Sequence, residues 1–187
     1  MELLNIFSAF GLSASAGLNA YIPLLIVALT ARFTNLLKLS EPWNNLANDW
    51  VIGILAVLSI VEFFADKIPA VNHVNDAVQT IIRPVAGAIL FAASANVVTD
   101  VHPILSLALG LMVSGGVHTV KSAAIRPAVT ATTGGLGNIP VSILEDVIAF
   151  FLTLLSLVIP IMVGLFLLVL AALLFWWIGR RNRYSKA

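Results

Sequence analysis

The sequence predicts an all-α, polytopic helical membrane protein with about five to six membrane segments, two of them broken or re-entrant, and an internal repeat. Three observations lead there. The 187 residues are 60% hydrophobic and only 10% charged, with a mean hydropathy of +1.03, whereas a soluble domain carries about a quarter charged residues. Several apolar runs reach the roughly 20 residues that a bilayer-spanning helix needs. Two interruptions also share a pattern: Gly17-Leu18-Asn19-Ala20-Tyr21-Ile22-Pro23 and Gly135-Leu136-Gly137-Asn138-Ile139-Pro140. Glycine loosens a helix and proline removes an N–H donor. In hydrocarbon, the freed backbone groups must be covered by protein or water. Matched interruptions in two halves of a membrane protein point to a central binding site.

The chain reads as one domain, 1–187. Residues 1–33 form an apolar run interrupted at Gly17–Pro23, either one tilted helix or a hairpin bending at Asn19. Ala14-Ser15-Ala16 imitates a signal-peptide cleavage site, but the leader lacks the Lys or Arg of such signals, so the segment is expected to be retained. A polar connection follows, with Trp43 and Trp50 suited to the headgroup region. Central helices occupy 50–127. They are expected at Trp50–Ala65, at Asp76–Val97 after a loop Ala70–Asn75, and at Pro103–Ala124 after a turn at Thr99–Pro103. Residues 128–178 hold the second broken segment and a C-terminal helix, with Pro160 inside a long apolar run. The tail 179–187 holds four of the ten Lys and Arg, after Trp176 and Trp177. By the positive-inside rule this places the C-terminus in the cytoplasm, and the protein in the inner cell membrane. Ile82-Arg83-Pro84 recurs as Ile125-Arg126-Pro127, a second echo of duplication.

Charges near a bilayer centre cost at least about 2.5–3.5 kcal/mol each. Glu62, Asp66, Lys67, Asp76, Arg83, His118, Lys121, Arg126, Glu145 and Asp146 all lie within apolar segments or at their ends. Five acids face four permanent cations and one histidine, so mutual neutralisation inside a bundle is expected. Glu62 and Asp66 share a helix face, as do His118 and Lys121. Glu62 and Arg83 sit one to two turns inside neighbouring helices, which predicts an ion pair. Asp66, Lys67 and Asp76 also read as water-exposed helix ends. Ser142-Ile143-Leu144-Glu145 fits a capping box, with Asp146 at the same positive helix end. His118 serves either as a proton relay or ion ligand, or as a packing histidine near glycines that admit a neighbouring helix.

There is no cysteine, which excludes disulfides and thiol chemistry. Three scattered histidines lack metal-ligand spacing, and no phosphate loop or hydrolase signature is present. No cofactor, metal or catalytic residue is expected, and the chain does not read as an enzyme.

The order of motifs resembles a bacterial family of small multi-pass membrane proteins, the domain of unknown function 4126. The likeness runs from Gly11 to Phe151 through Ala16-Gly17-Leu18-Asn19, Glu62-Phe63-Phe64-Ala65-Asp66-Lys67-Ile68-Pro69, Arg83-Pro84-x-Ala86-Gly87, His118-x-x-Lys121-x-x-x-x-Arg126, Asn138 and Glu145-Asp146. The resemblance implies a class and a functional set of polar residues but no substrate. The set is Asn19, Glu62, Asp66, Arg83, His118, Lys121, Arg126, Asn138, Glu145 and Asp146; a transport function would have Asn19 and Asn138 facing each other near mid-membrane.

The function expected is a transporter or channel for a small polar or ionic solute. Arg83, Lys121 and Arg126 would attract an anion, and Glu62 or Asp66 would carry a coupling proton. The alternatives are a scramblase or flippase handling a phosphate-bearing lipid and a non-catalytic membrane assembly protein. The expected partners are the lipid bilayer, the solute and a second copy in a homo-oligomer, with no nucleic acid.

Overall fold

A computed structural model describes residues 2–95, 102–160, 162, 165, 166, 168–170, 172 and 173, with backbone alone at 2–4, 69–73 and 95. The expectations for the Thr99–Asp100 turn, Trp176, Trp177 and the basic tail lie outside these residues.

The described chain is all-helical. Helix α1 spans Glu2–Leu18 and α2 Tyr21–Phe33; a 3₁₀ turn at Trp43–Ala47 leads into α3, Asp49–Ala65. Then come α4 (Pro69–Ala95), α5 (Pro103–Val120), a π turn (Lys121–Ile125), α6 (Arg126–Thr133) and α7 (Asn138–Val158). Among the described residues, three helical stretches are long and apolar enough to cross a membrane: Val74–Ser94, Pro103–Thr133 and Asn138–Val158.

Helix α1 lies at the centre, packed against α4, α5 and α7, while α3 leans on α2. The bundle holds many small and polar residues inside, beside an apolar cluster that includes Leu12, Val27 and Leu90, and is apolar outside. On α5 the buried positions are Ser106, Gly110, Ser114 and His118, one every fourth residue. On α7 they include Ser142, Glu145, Asp146, Ala149, Thr153 and Ser156. Their outward neighbours, such as Leu111, Met112, Leu144, Val147 and Phe151, are exposed. Small and polar residues at helix contacts suit a lipid environment, where apolar burial gives helices no reason to associate. Hydrogen bonds hold α1 to α7: Ser8 Oγ donates to the Ser156 carbonyl (2.6 Å), and Ser15 Oγ to the Ala149 carbonyl (2.7 Å). Ser114 Oγ ties α5 to α4 through the Arg83 carbonyl (2.7 Å).

Three boundaries differ from expectation. The loop expected at Ala70–Asn75 is helical, because α4 starts at Pro69, where a missing N–H and a fixed φ suit the first turn. The connection from α3 is therefore only Asp66–Ile68. The long apolar run is divided at Ile159 (φ −135°, ψ 64°), just before Pro160, leaving α7 with 21 residues. That is about 31 Å of helix, one bilayer core. The Gly134–Gly137 segment is a turn between α6 and α7, with left-handed Gly134 (φ 63°) closing α6.

On the surface, Arg32 meets Asp49 at 3.1 Å, with side chains 48% and 73% exposed. Such pairs contribute about 0–1 kcal/mol. Arg32→Gln should therefore leave the melting temperature in detergent essentially unchanged, and a large drop would contradict the exposed placement.

Candidate functional site

The site starts where α1 stops. A helix beginning in apolar surroundings leaves its first N–H groups without partners. At the Asn19–Ala20 break all of them are supplied. Tyr21 and Ile22 N–H donate to Asn19 Oδ1 at 3.1 and 3.0 Å. Ala20 N–H donates to the Glu62 carboxylate (3.2 Å to Oε2), as does Tyr21 N–H (3.3 Å). Pro23 has no N–H to satisfy. On the other side of the break, Lys121 Nζ donates to the Leu18 carbonyl at 2.9 Å. An anion thus faces the positive start of α2 and a cation the negative end of α1, the arrangement that helix dipoles favour.

These two groups belong to a larger ionic network. Arg83, fully buried, donates through Nη2 to Glu62 Oε1 (2.9 Å) and Asp66 Oδ2 (3.3 Å), so the ion pair expected between Glu62 and Arg83 is present. Arg126 Nη2 reaches the same Asp66 oxygen at 3.0 Å and Glu145 Oε2 at 3.2 Å, while its Nη1 reaches Asp76 Oδ2 at 3.3 Å. Lys121 Nζ lies 2.9 Å from Glu145 Oε2 and 3.5 Å from Asp66 Oδ2. Asn75 Nδ2 donates to Asp66 Oδ1. Asp146 takes Asn19 Nδ2 at 3.0 Å and Lys67 Nζ at 2.9 Å. His118 Nδ1 meets Arg83 Nη1 at 3.3 Å, and its Nε2 meets Thr80 Oγ1 at 3.1 Å. The two Ile-Arg-Pro copies therefore deliver their arginines to one carboxylate, that of Asp66.

The π turn makes this possible. Lys121 and Arg126 are five residues apart and would diverge on a regular α-helix, but i→i+5 bonding brings such residues onto one face. Both are buried, 1% and 5% exposed. Pro127 accounts for the irregularity: it cannot donate, and its ring would collide with the Ala123 carbonyl in an α-helical turn.

Several expectations need correction. Asp66 is only 2% exposed and is the hub of the network, not a water-exposed helix end. The side chains of Lys67 and Asp76, 14% and 21% exposed, are paired as well. The capping box at Ser142–Glu145 does not form. Helix α7 has already begun at Asn138, so Ser142 lies in its second turn and Glu145 turns to Lys121 and Arg126. Asn138 does not face Asn19. Its Nδ2 donates to Thr130 Oγ1 at 2.9 Å across the α6–α7 turn. It also sits eight residues, about 12 Å, along α7 from the Asp146 that Asn19 binds. The other nine expected residues meet in one place. Sequence reasoning left out Lys67, Asp76, Asn75 and Thr80, and the first two were visible as charges in apolar sequence.

Asn19 carries a local prediction. Asn19→Ala removes the acceptor for two α2 N–H groups and a donor to Asp146. The cap alone accounts for about 0.5–2 kcal/mol. A thermal melt in detergent should show a clear loss of stability; an unchanged melt would mean that the break is held otherwise.

The family model described as Domain of unknown function (DUF4126) matches residues 6–180, extending the likeness through the long C-terminal apolar run. Searches of the curated proteins and of the solved structures found no match to the chain.

Proposed function

The chain belongs to this family of unknown function, so its activity has to be argued from geometry, and we propose that it is a membrane transporter or channel for a small polar or ionic solute. One observation carries the reading: a helix broken inside the bundle, both of its loose ends held by charged side chains from other elements. Broken helices whose ends point at charged groups are how transporters bind solutes at mid-membrane. A solute anion would compete with Glu62 for the α2 N–H groups and Arg83. A cationic group would compete with Lys121 for the α1 carbonyl end. Ionisable groups gathered inside a membrane bundle mark ion and proton paths more often than scaffolding.

On this reading α1 and α2 form one broken membrane segment, α3, α4, α5–α6 and α7 complete a five-segment core, and the basic tail lies in the cytoplasm. Asp66, bound by both Ile-Arg-Pro arginines, would then sit where two repeats meet.

The test is charge movement in proteoliposomes on a solid-supported membrane, after jumps of chloride, acetate, glycine, sodium or pH. At least one should give a protein-dependent current that Glu62→Gln abolishes. Silence to every jump, with and without a pH gradient, would overturn the proposal.

Lipid handling is the second reading. Two apolar cavities of about 350 and 280 Å³ favour it, one lined by Val147, Phe151, Leu155 and Phe166, the other by Leu24, Ile82 and Ile89. A fluorescent-phospholipid assay on the same vesicles separates the two, since a solute carrier leaves lipid asymmetry intact.

A further inference from the structure

Counted over the described residues, the charges of the network do not balance. Among the described residues, Glu62, Asp66, Asp76, Glu145 and Asp146 face four permanent cations, Lys67, Arg83, Lys121 and Arg126. His118 does not supply the fifth positive charge. Arginine has only donors, so the Arg83 contact at 3.3 Å makes His118 Nδ1 an acceptor without a proton. Thr80 donates its hydroxyl proton to the Asp76 carbonyl (2.8 Å), so His118 Nε2–H is the donor to Thr80 Oγ1. The imidazole is thus a neutral Nε2–H tautomer, fixed by its partners. The helix ends do not close the gap either. The positive start of α2 on Glu62 is offset by the negative end of α1 on Lys121.

The surplus can be placed. Lys67 and Asp146 form a balanced pair. What remains is Glu62, Asp66, Asp76 and Glu145 against Arg83, Lys121 and Arg126. Both oxygens of Glu62, Asp66 and Asp146 receive a donor. Two buried carboxylate oxygens receive none, Asp76 Oδ1 and Glu145 Oε1. The other oxygen of each of these carboxylates binds Arg126, at 3.3 and 3.2 Å. The missing positive charge and the bare oxygens thus coincide at the Arg126 guanidinium. Glu145 is only 6% exposed. Its Oε2 is held by Lys121 and Arg126, but an acceptor oxygen buried without a donor is costly, and binding a cation relieves it.

We infer that this corner of the network binds one monovalent cation, a proton or an alkali-metal ion, at the bare oxygen of Glu145 or of Asp76. Around Glu145 stand Lys121 from the π turn, Arg126 from α6, Asp66 at the C-terminal end of α3 and Asp146 on its own helix. Around Asp76 stand Arg126 and, through Thr80, His118 from α5. Lys121 and Arg126 are shared among three carboxylates, so the bound ion completes a neutral set. The inference deepens the transport reading and depends on it only for the ion's role as the coupling ion. Ion binding to resting protein can be present in a chain that moves nothing.

The experiment uses the full chain in nanodiscs with no solute added. In the proton arm, infrared difference spectra across a pH titration look for one protonated carboxyl per chain, recognised by a C=O stretch that shifts in D₂O. In the alkali arm, equilibrium dialysis with radioactive sodium or rubidium looks for one saturable ion per chain that protons displace. One arm should be positive, and its signal should be lost in Glu145→Gln or in Asp76→Asn. The parent protein alone already decides whether a cation is bound, so misfolding of either variant does not rescue a failed inference. Neither a protonated carboxyl nor a bound alkali ion in the folded parent, or a signal unchanged in both variants, would overturn it. Failure of transport with a positive binding arm would instead sink only the functional reading.

Discussion

Arg83→Gln is expected to lose most of the stability of the bundle. The guanidinium is fully buried and contacts Glu62, Asp66 and His118 at once. Glutamine keeps some length but no charge, so Glu62 and Asp66 would face each other with one cation fewer in a place water does not reach. Breaking a buried pair from one side costs about 3–5 kcal/mol, against a total stability of roughly 5–15 kcal/mol for a domain. Arg83→Lys should rescue little, since one ammonium cannot reproduce a planar fork spanning three partners. The double variant Glu62→Gln/Arg83→Gln should recover part of the loss, because it removes a charge of each sign. Fluorescence-detected melting of Arg83→Gln, Glu62→Gln and the double variant in detergent completes the cycle. Arg83→Gln melting like the parent would show that the network contributes little to holding the helices.

The second large effect is expected at Gly110. A Cβ there would lie 2.5 Å from the Gly87 carbonyl oxygen, 2.6 Å from Phe91 Cβ and 2.7 Å from Ala88 Cα. None of these atoms is the free end of a flexible side chain, so Gly110→Ala must push α5 away from α4. Overpacking of this kind costs about 1–3 kcal/mol, sometimes more. The shift would also strain the 2.7 Å bond from Ser13 Oγ to the Gly110 carbonyl. Gly116 lies on the same helix, with nothing within 4 Å of its would-be Cβ. Gly116→Ala should be neutral or stabilising by up to about 1 kcal/mol through helix propensity. The same chemical change should thus give opposite results two turns apart. Equal melting temperatures for the pair would contradict the close α4–α5 contact.

Hydropathy and the run lengths made the helical class legible, because a chain this apolar has few other ways to bury its backbone. The Glu62–Arg83 pair was legible too, since both lie inside apolar helices on either side of a short connection. Glu145 was ambiguous for a physical reason. Ser-x-x-Glu caps a helix only if the helix starts there, and tertiary packing had α7 begin one turn earlier, at Asn138. Asn138 misled in the opposite way. Gly-Leu-Gly-Asn-Ile-Pro is as good a surface turn as a broken helix, and only the left-handed glycines at 134 and 135 distinguish the two. The repeat of Ser106, Gly110, Ser114 and His118 was readable and marks the inner face of α5. The π turn was not readable, because nothing in Lys121–Ile125 apart from the following Pro127 departs from ordinary helix composition.

That turn sets the phase of everything beyond it. Each residue advances an α-helix by about 100°, so the same residues wound without the π turn, or with one more residue than it absorbs, would swing Arg126 off the face it shares with Lys121. The chain would read almost identically, and Asp66, Asp76 and Glu145 would have lost their common counter-ion. Spacing between the basic residues, more than their identity, is what an insertion or deletion in this stretch puts at stake.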